Sequence, residues 1–300
     1  MEQKQTESAI SVRKTDDAAR YLPCVDRLET NAEFYEAVSE NDEEVRVICC
    51  GERTVGLAIV SGGGEEGYLY VYVFPEYRNN GFGCAAVKCA EQEIFSPELK
   101  KIYASYRADN EAARRFAEKC GYPKKYSSSH MAYHGERFAL AELPIRQYQD
   151  GDYAQAFALS AEAFHKMRLE TGCFPDSVPG EPSDEGRRSW AETAEERYVY
   201  EAGGELVGYA HLDGSELDSV SIKISRQGEG FGKNFVRFLV NRIMEKEQDD
   251  PTLWCVNGND KARRLYDSLG FQEDGCEAFA IKSDFADGCP TASGPDPEGR

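Results

Sequence analysis

The sequence predicts an α+β (mixed α/β) protein of two tandem domains, each with a mixed central sheet flanked by helices. The chain has 300 residues, which is enough for two separate hydrophobic cores. Segments of its first half recur in the second half at a constant spacing, which is typical of a duplicated domain. In each half, apolar strand patterns are followed by alternating helix and strand patterns, which favours mixed sheets over an all-helical or all-β fold.

The repeat is clearest in four short matches. Gly81-Phe82-Gly83 recurs as Gly230-Phe231-Gly232, and Asn110 recurs as Asn259, both with an offset of 149. Ala-Arg-Arg and Gly-aromatic pairs further along recur with the same offset. We therefore predict a first domain over 1–137, a second over 138–286 and a flexible tail over 287–300.

Two connecting segments are predicted from their composition. The stretch 171–186 is rich in proline, glycine and serine and has no counterpart in the first copy, so we expect a long loop there. The connector Gly135–Leu143 has apolar residues at alternating positions and only one glycine, so we expect a strand rather than a flexible linker.

Each copy is expected to be β-rich at first and to end in a β-α-β-α order. The strands of the first copy are predicted at 45–50, 54–60, 68–74 and 101–106, with helices at 84–94 and 110–120. Those of the second copy are predicted at 197–200, 206–211, 219–224 and 252–256, with helices at 233–246 and 259–269.

Composition narrows the class of protein. Hydrophobic residues form 41% of the chain, yet no apolar run approaches the roughly 18 residues of a membrane span. The first ten residues do not resemble a secretory signal, and the ten cysteines include no C-x-x-C pair, so we expect a cytoplasmic protein without a metal site. A net charge of −19 disfavours nucleic acid and favours cationic or amine-bearing ligands. The oligomeric state is left open.

In both copies a polar loop ending in Gly-x-Gly lies between a strand and a helix. Such a loop turns backbone N–H groups towards one point, where the helix N-terminus adds partial positive charge, so it can hold a phosphate or pyrophosphate. A Walker A loop is excluded in the second copy, where Gln227 replaces the first glycine and Asn234 follows Lys233. A dinucleotide fingerprint should close the first strand of its domain, but here at least three strands precede the loop. A coenzyme A pyrophosphate loop, with Arg or Gln three residues before Gly-x-Gly, fits both copies.

These motifs together resemble the GNAT superfamily of acetyl-CoA-dependent N-acetyltransferases. The segments 73–83 (VFPEYRNNGFG) and 227–232 (QGEGFG) are similar to the acetyl-CoA loop of that family. The segment 259–271 (NDKARRLYDSLGF) matches its later helix motif at every marked position. The second copy departs from the family where Ile224-Ser225-Arg226 replaces the usual Pro-Glu-Tyr before the loop.

The resemblance implies acetyl-CoA as cosubstrate and assigns residues to it. The implied coenzyme-binding residues of the first copy are Val73, Phe74, Arg78, Asn80, Gly81, Gly83 and Asn110. Those of the second copy are Ile222, Ile224, Gln227, Gly230, Gly232 and Asn259. The two asparagines also suit the N-caps of their helices, and the two roles can coexist.

The resemblance places Tyr266 as the general acid that protonates the departing thiolate, although its apolar neighbours also suit core packing. The first copy has Ala117 at the equivalent position, so it is expected to bind coenzyme without catalysis, unless Tyr106 or Tyr122 substitutes. Glu216 and Asp218, just before the loop strand, are the candidate bases, with solvated surface carboxylates as the alternative.

The implied activity is acetyl transfer from acetyl-CoA to a primary amine of a cationic small molecule or peptide, directly in a ternary complex. Two variants stay open, namely turnover by the first copy and an acyl group other than acetyl. An alternative from another class is a non-catalytic acyl-CoA sensor or pseudoenzyme scaffold.

Overall fold

The computed structural model describes residues 10–174, 177–246 and 249–283. The predicted tail 287–300 lies outside them. The chain forms two compact units: unit 1 comprises residues up to 127 and from 277 onwards, and unit 2 comprises 128–276. Each unit is described by itself below.

Unit 1 is built on a six-stranded mixed sheet. Its strands are β1 (Ile10–Lys14), β2 (Val45–Cys50), β3 (Arg53–Gly63), β4 (Glu66–Val73), β5 (Lys101–Arg107) and the part of β12 (Gln272–Lys282) from Glu277 onwards. They are ordered β1-β2-β3-β4-β5-β12. Neighbours are antiparallel except β4 and β5, which are parallel.

Unit 2 repeats this arrangement. Its strands are β7 (Ile145–Gln147), β8 (Arg197–Ala202), β9 (Glu205–Asp213), β10 (Glu216–Ile222), β11 (Thr252–Val256) and the part of β6 (Lys124–Ala132) from Ser128 onwards. They are ordered β7-β8-β9-β10-β11-β6, and only β10 and β11 are parallel.

Helices cover both faces of each sheet. Unit 1 has α1 (Ala32–Glu40), α2 (Phe82–Ile94) and α3 (Glu111–Lys119). Unit 2 has α4 (Tyr153–Thr171), α5 (Asp184–Glu192), α6 (Phe231–Lys246) and α7 (Asp260–Leu269). One buried cluster lies under α2 and α3 and one under α1, and unit 2 has corresponding clusters under α6 and α7 and under α4. The predicted α+β fold class is confirmed.

The compact units differ from the predicted ranges 1–137 and 138–286 in their last strands. The first copy ends in β6, and from Ser128 this strand pairs with β11 of unit 2. The second copy ends in β12, which from Glu277 pairs with β5 of unit 1. Each sheet therefore takes its sixth strand from the other copy, so unit 1 is discontinuous in sequence.

Two local expectations are wrong. The connector Gly135–Leu143 forms no strand. Instead, the Asn241 side chain of α6 accepts from the Phe138 N–H (2.8 Å) and donates to its carbonyl (2.9 Å), so these backbone groups are satisfied without a ladder. The predicted loop 171–186 ends earlier than expected because Ser183 caps α5, its Oγ accepting from the Gly186 N–H at 3.0 Å.

Candidate functional site

A cavity of about 500 Å³ opens in unit 2 between β10, β11, α4 and the loop before α6. The parallel strands β10 and β11 are paired only at Glu216 and Thr252, so they diverge towards their carboxyl ends. Val220, Ser221 and Ile222 of β10 line one wall, and Cys255 and Val256 line another. The divergence leaves backbone groups free to meet an extended ligand.

The loop 227–232 is held open by its own sequence. Gly230 has a φ of +89°, a conformation that disfavours side chains, and no atom lies within 4 Å of where its Cβ would be. The Gln227 side chain donates to the Ile222 carbonyl at 3.1 Å. The Lys223 N–H donates to Val207 of β9 (2.9 Å), so by the alternation of an antiparallel ladder the N–H of Ile222 points towards β11 and the cavity.

Three lysines line this cavity. Lys233 lies in the first turn of α6 and Lys261 in the first turn of α7. Unlike the other two, Lys233 forms no ion pair among the residues that the structure describes. Lys261 and Lys166 both lie near Glu170, at 3.4 and 3.8 Å. The free ammonium beside a Gly-x-Gly loop and a helix N-terminus makes this end of the cavity suited to phosphate.

Tyr266 of α7 lines the same cavity. Burial, and secondarily the neighbouring Cys255 thiol, raise the pKa of Tyr266 above its ordinary value, so the phenol is protonated at neutral pH. Its ring also contacts Phe271 at 5.8 Å between centroids. Tyr266 thus both lines the cavity and packs against the core, and its role as acid stays a prediction.

Asp218 enters the cavity from a β-bulge. The register between β10 and β9 shifts between Leu217 and Ser219, which leaves Asp218 as the extra residue. Its carboxylate accepts from His211 Nδ1 at 2.9 Å and from the Ser219 hydroxyl. The hydrogen bond from His211 holds the pKa of Asp218 below its ordinary value despite partial burial. Glu216 does not line the cavity, and burial raises its pKa.

The structure brings most of the predicted residues of the second copy together. Those lining the cavity are Asp218, Ile222, Gln227, Gly230, Gly232, Asn259 and Tyr266. Ile224 begins a short 3-10 turn and, like Glu216, does not line it. Asn259 also caps α7, its side chain accepting from the Ala262 N–H at 3.3 Å, so its two predicted roles are compatible.

Helix α4 was not predicted from the sequence, where strands were expected first. It supplies Phe164, Lys166, Met167 and Glu170 to the cavity. A run of nineteen residues without proline or glycine was the available signal. His211 was also missed, because it was counted only as part of a strand.

The corresponding residues of unit 1 have partners from unit 1 itself. The Arg78 guanidinium forms a two-bond ion pair with the Glu29 carboxylate (3.1 and 2.5 Å), and its Nε donates to the Val73 carbonyl. Asn110 caps α3, and its amide also donates to the Glu29 carbonyl at 3.4 Å. Asn80 donates to two carbonyls of its own loop. The N–H of Phe74 donates to Val55 of β3.

The gap between β4 and β5 is also more closed than that in unit 2. These strands are paired at three positions rather than one. The Ser105 hydroxyl of β5 lies 2.9 Å from the Tyr68 hydroxyl and accepts from the Asn31 amide at 3.0 Å. A Cβ on Gly83 would lie 2.8 Å from the Phe116 ring. The register of β3 with β4 is continuous, so the bulge of unit 2 has no counterpart there.

The two phenols offered as a substitute acid in the first copy have different surroundings. The Tyr122 hydroxyl donates to the buried Glu91 carboxylate at 2.9 Å. The Tyr106 hydroxyl is buried without a hydrogen-bond partner among the described residues.

Within the described residues, no group of three or more His, Cys, Asp or Glu side chains could hold a metal ion. In that same part of the chain, each helix is too short or too polar to span a lipid bilayer.

Two family models match the chain. The model of the acetyltransferase (GNAT) family matches residues 12–122, and that of FR47-like proteins matches residues 200–280. No curated protein matches the sequence significantly.

Solved structures share the fold at low identity. A GCN5-related N-acetyltransferase from Sphaerobacter thermophilus matches with a TM-score of 0.62 and 18% identity, over 91% of this chain and 95% of that chain. A tandem GNAT protein from the clavulanic acid biosynthesis pathway matches with a TM-score of 0.57 and 13% identity, over 91% and 98%. A glucosamine N-acetyltransferase region of a fungal multi-domain GH3 β-N-acetylglucosaminidase gives 0.65 and 11%, over 94% of this chain and 39% of that chain.

The resemblance inferred from the loops is therefore confirmed at the level of the family, whose enzymes use acetyl-CoA. The chain therefore carries a GNAT acetyltransferase domain followed by an FR47-like C-terminal domain.

Proposed function

We propose that this protein is an N-acetyltransferase that transfers the acetyl group of acetyl-CoA to a primary amine of a cationic small molecule or peptide, using unit 2 alone. The observation that carries the proposal is a single cavity lined by the Gly-x-Gly loop, Tyr266 and Asp218. One ligand in this cavity can touch a phosphate site, a proton donor and a carboxylate at once.

The residues present fit a coenzyme A thioester. Lys233, the N–H groups at the start of α6 and the loop around Gly230 suit its pyrophosphate. The N–H of Ile222 faces the gap between β10 and β11, where it can bind an extended amide-containing arm. When bound, the thioester supplies an activated acetyl carbonyl.

The residues of unit 2 then divide the proton transfers between them. As the new N–C bond forms and the C–S bond breaks, one proton leaves the amine and one is needed by the thiolate. Asp218 is ionised at neutral pH, so it can hold the acceptor ammonium and take one proton from it, while the hydrogen bond from His211 Nδ1 (2.9 Å) orients the carboxylate. The second proton, lost as the N–C bond forms, replaces the one that Tyr266 gives to the sulfur. Tyr266 lines the cavity and is protonated at neutral pH, so it can give its proton to the sulfur as the C–S bond breaks.

The acceptor side of the cavity favours a cation. Trp254 is 39% exposed and lines the same cavity as Asp218. An indole face and a carboxylate together attract an ammonium group through cation–π and charge interactions. The negative net charge of the chain adds a longer-range attraction.

Unit 1 is proposed to bind no coenzyme. The Glu29 carboxylate lies on Arg78, where the coenzyme phosphate was expected, and the Glu29 carbonyl takes the Asn110 amide. Two further positions support this. The two lysines that line the cavity of unit 2 at its helix N-termini, Lys233 and Lys261, correspond to the uncharged Cys84 and Ala112 of unit 1.

The proposal is tested by incubating the full chain with acetyl-CoA and a panel of polyamines, aminoglycosides, amino sugars and basic peptides, while free thiol is measured. We expect amine-dependent thiol release with a KM that rises with salt, because screening weakens the attraction of a cationic acceptor. Tight acetyl-CoA binding without thiol release for any amine would instead support the non-catalytic sensor.

A further inference from the structure

Two half-buried cysteines of unit 1 lie in direct contact. The Sγ atoms of Cys84 and Cys120 are 2.9 Å apart. Non-bonded heavy atoms ordinarily pack at about 3.5–4.0 Å, and a disulfide bond is roughly 2.05 Å long. The distance between the two sulfurs is thus shorter than an ordinary non-bonded contact and longer than a disulfide bond. Both side chains are partly exposed to solvent.

Their positions connect two helices that lie beside the loop of unit 1. Cys84 is in the first turn of α2, directly after Gly83, and Cys120 is the C-cap residue of α3. The equivalent residues of unit 2 are Lys233 and Leu269, so the pair is specific to the first copy. No third His, Cys, Asp or Glu in the described part of the chain completes a metal site with them.

We propose that Cys84 and Cys120 form a reversible redox pair, a dithiol that closes to an intramolecular disulfide when it meets a low-molecular-weight disulfide such as oxidised glutathione. In the first step the Cys84 thiolate attacks the oxidant, whose S–S bond breaks and releases one thiol. In the second step the Cys120 thiolate attacks the Cys84 sulfur and releases the second. Two electrons and two protons leave the cysteine pair, and the oxidant is reduced to two thiols.

The order of the steps follows from the surroundings of each sulfur. Burial, the hydrogen bond with Cys84 and the nearby Glu91 charge raise the pKa of Cys120 above its ordinary value. A thiol of raised pKa is a poor first nucleophile, but it can resolve a mixed disulfide that already lies in contact with it. We therefore expect the first attack to come from Cys84.

The bond would stabilise the closed form of unit 1. It would tie the C-terminus of α3 to the start of α2 and so hold the Phe116 ring of α3 against Gly83. Because it cross-links residues 36 positions apart, it should also reduce the conformational freedom of the unfolded chain. The redox pair does not depend on the proposed acetyl transfer.

The test uses the native full-length chain, equilibrated with reduced and oxidised glutathione, quenched in acid, alkylated and mapped by mass spectrometry. We expect a linked pair of peptides containing Cys84 and Cys120, and a melting temperature several degrees higher that reverses on reduction. Cys84→Ser and Cys120→Ser should each abolish both effects. Cys89→Ser, on the same helix and also half-buried, should retain them.

Complete alkylation of both cysteines after equilibration with excess oxidised glutathione would overturn the proposal. Linkage of Cys84 to a cysteine other than Cys120 would also overturn it. Peptide mapping of the unsubstituted chain decides the question even if a serine variant fails to fold.

Discussion

The two copies of the loop share one backbone device but have opposite surroundings. In each, the side chain three residues before Gly-x-Gly donates to the last residue of the preceding strand, Arg78 to Val73 and Gln227 to Ile222. In unit 2 the loop faces a cavity lined by α4. In unit 1 it faces Glu29, which binds Arg78. The loop motif thus establishes a shape, and the segment that faces it decides whether a ligand can use that shape.

The hydrophobic cores of the two units also differ, because only that of unit 1 contains a buried charged group at this position. In unit 1 the buried Glu91 carboxylate accepts from Tyr122 at 2.9 Å and pairs with Lys282 at 2.7 Å. The equivalents of Glu91 and Tyr122 in unit 2 are the buried Val240 and Phe271. Unit 1 therefore carries a charged network under α2, whereas unit 2 has an ordinary apolar core under α6.

Substitution of the first glycine of each loop should produce the largest difference between the two units. Gly230→Asp places a carboxylate in the proposed phosphate site and should weaken acetyl-CoA binding by roughly 100-fold or more, as measured by calorimetry. Gly81→Asp is a matched control, because Gly81 also has positive φ and no atom lies within 4 Å of where its Cβ would be. Equal losses in both variants would show that unit 1 binds coenzyme too.

The catalytic difference is tested at Tyr266. Replacement by Phe removes only the hydroxyl, so kcat should fall by about 10- to 1000-fold while coenzyme affinity changes little. The control is Tyr106→Phe in unit 1, which should leave kcat unchanged. An unchanged kcat in Tyr266→Phe would exclude this residue as the acid.

The buried ion pair between Glu91 and Lys282 distinguishes the core of unit 1 from that of unit 2, and its contribution to stability can be measured. Lys282→Met leaves a buried carboxylate without its counter-charge and should lower the free energy of unfolding by about 3 kcal/mol, measured by urea denaturation. Adding Glu91→Leu should recover most of that loss, since it imitates the apolar core of unit 2. A double variant no more stable than Lys282→Met would contradict the assignment of the loss to an unpaired charge.

Asp218 and Glu216 were predicted as alternatives, and the bulge distinguishes them. Asp218→Asn should lower kcat/KM by about 10- to 100-fold, because it removes the carboxylate that lies in the cavity and orients His211. Glu216→Gln lies outside the cavity and should have a much smaller effect. The reverse order in steady-state kinetics would transfer the role of base to Glu216.

The smallest expected effect concerns the ion pair that closes unit 1. Arg78 holds the pKa of Glu29 below its ordinary value, so the stabilisation is present above the unfolded pKa of about 4.3 and is lost as pH falls through the folded pKa. Glu29→Gln should therefore cost about 1 kcal/mol at pH 7 and progressively less in acid. Glu98→Gln, an exposed residue of the same unit, should cost nothing at either pH, and a pH-independent cost for Glu29→Gln would refute the ion pair.

Much of this fold was predictable because its strands and loops carry local signals. The strands 45–50 and 252–256 match their predicted bounds, and the later helices agree to within two residues, since apolar alternation and Asn caps are local features. The helices α1 and α4 were not predicted, because the repeated motifs guided the assignment of elements and both helices lie upstream of those motifs.

The remaining features depend on contacts between distant parts of the sequence. Glu29 meets Arg78 across 49 residues, and no local pattern marks it as the partner of a loop. The exchange of β6 and β12 could not be predicted either, because a strand's alternation does not specify which sheet it joins. The bulge at Asp218 required the register of β9 against β10.

The central claim is that only one of the two similar loops serves a coenzyme, and the number of acetyl-CoA molecules bound per chain tests it most directly. Calorimetric titration of the unsubstituted full-length protein should give one site per chain, which Gly230→Asp removes and Gly81→Asp leaves intact. Two sites per chain, or one site that is lost with Gly81→Asp, would contradict the account.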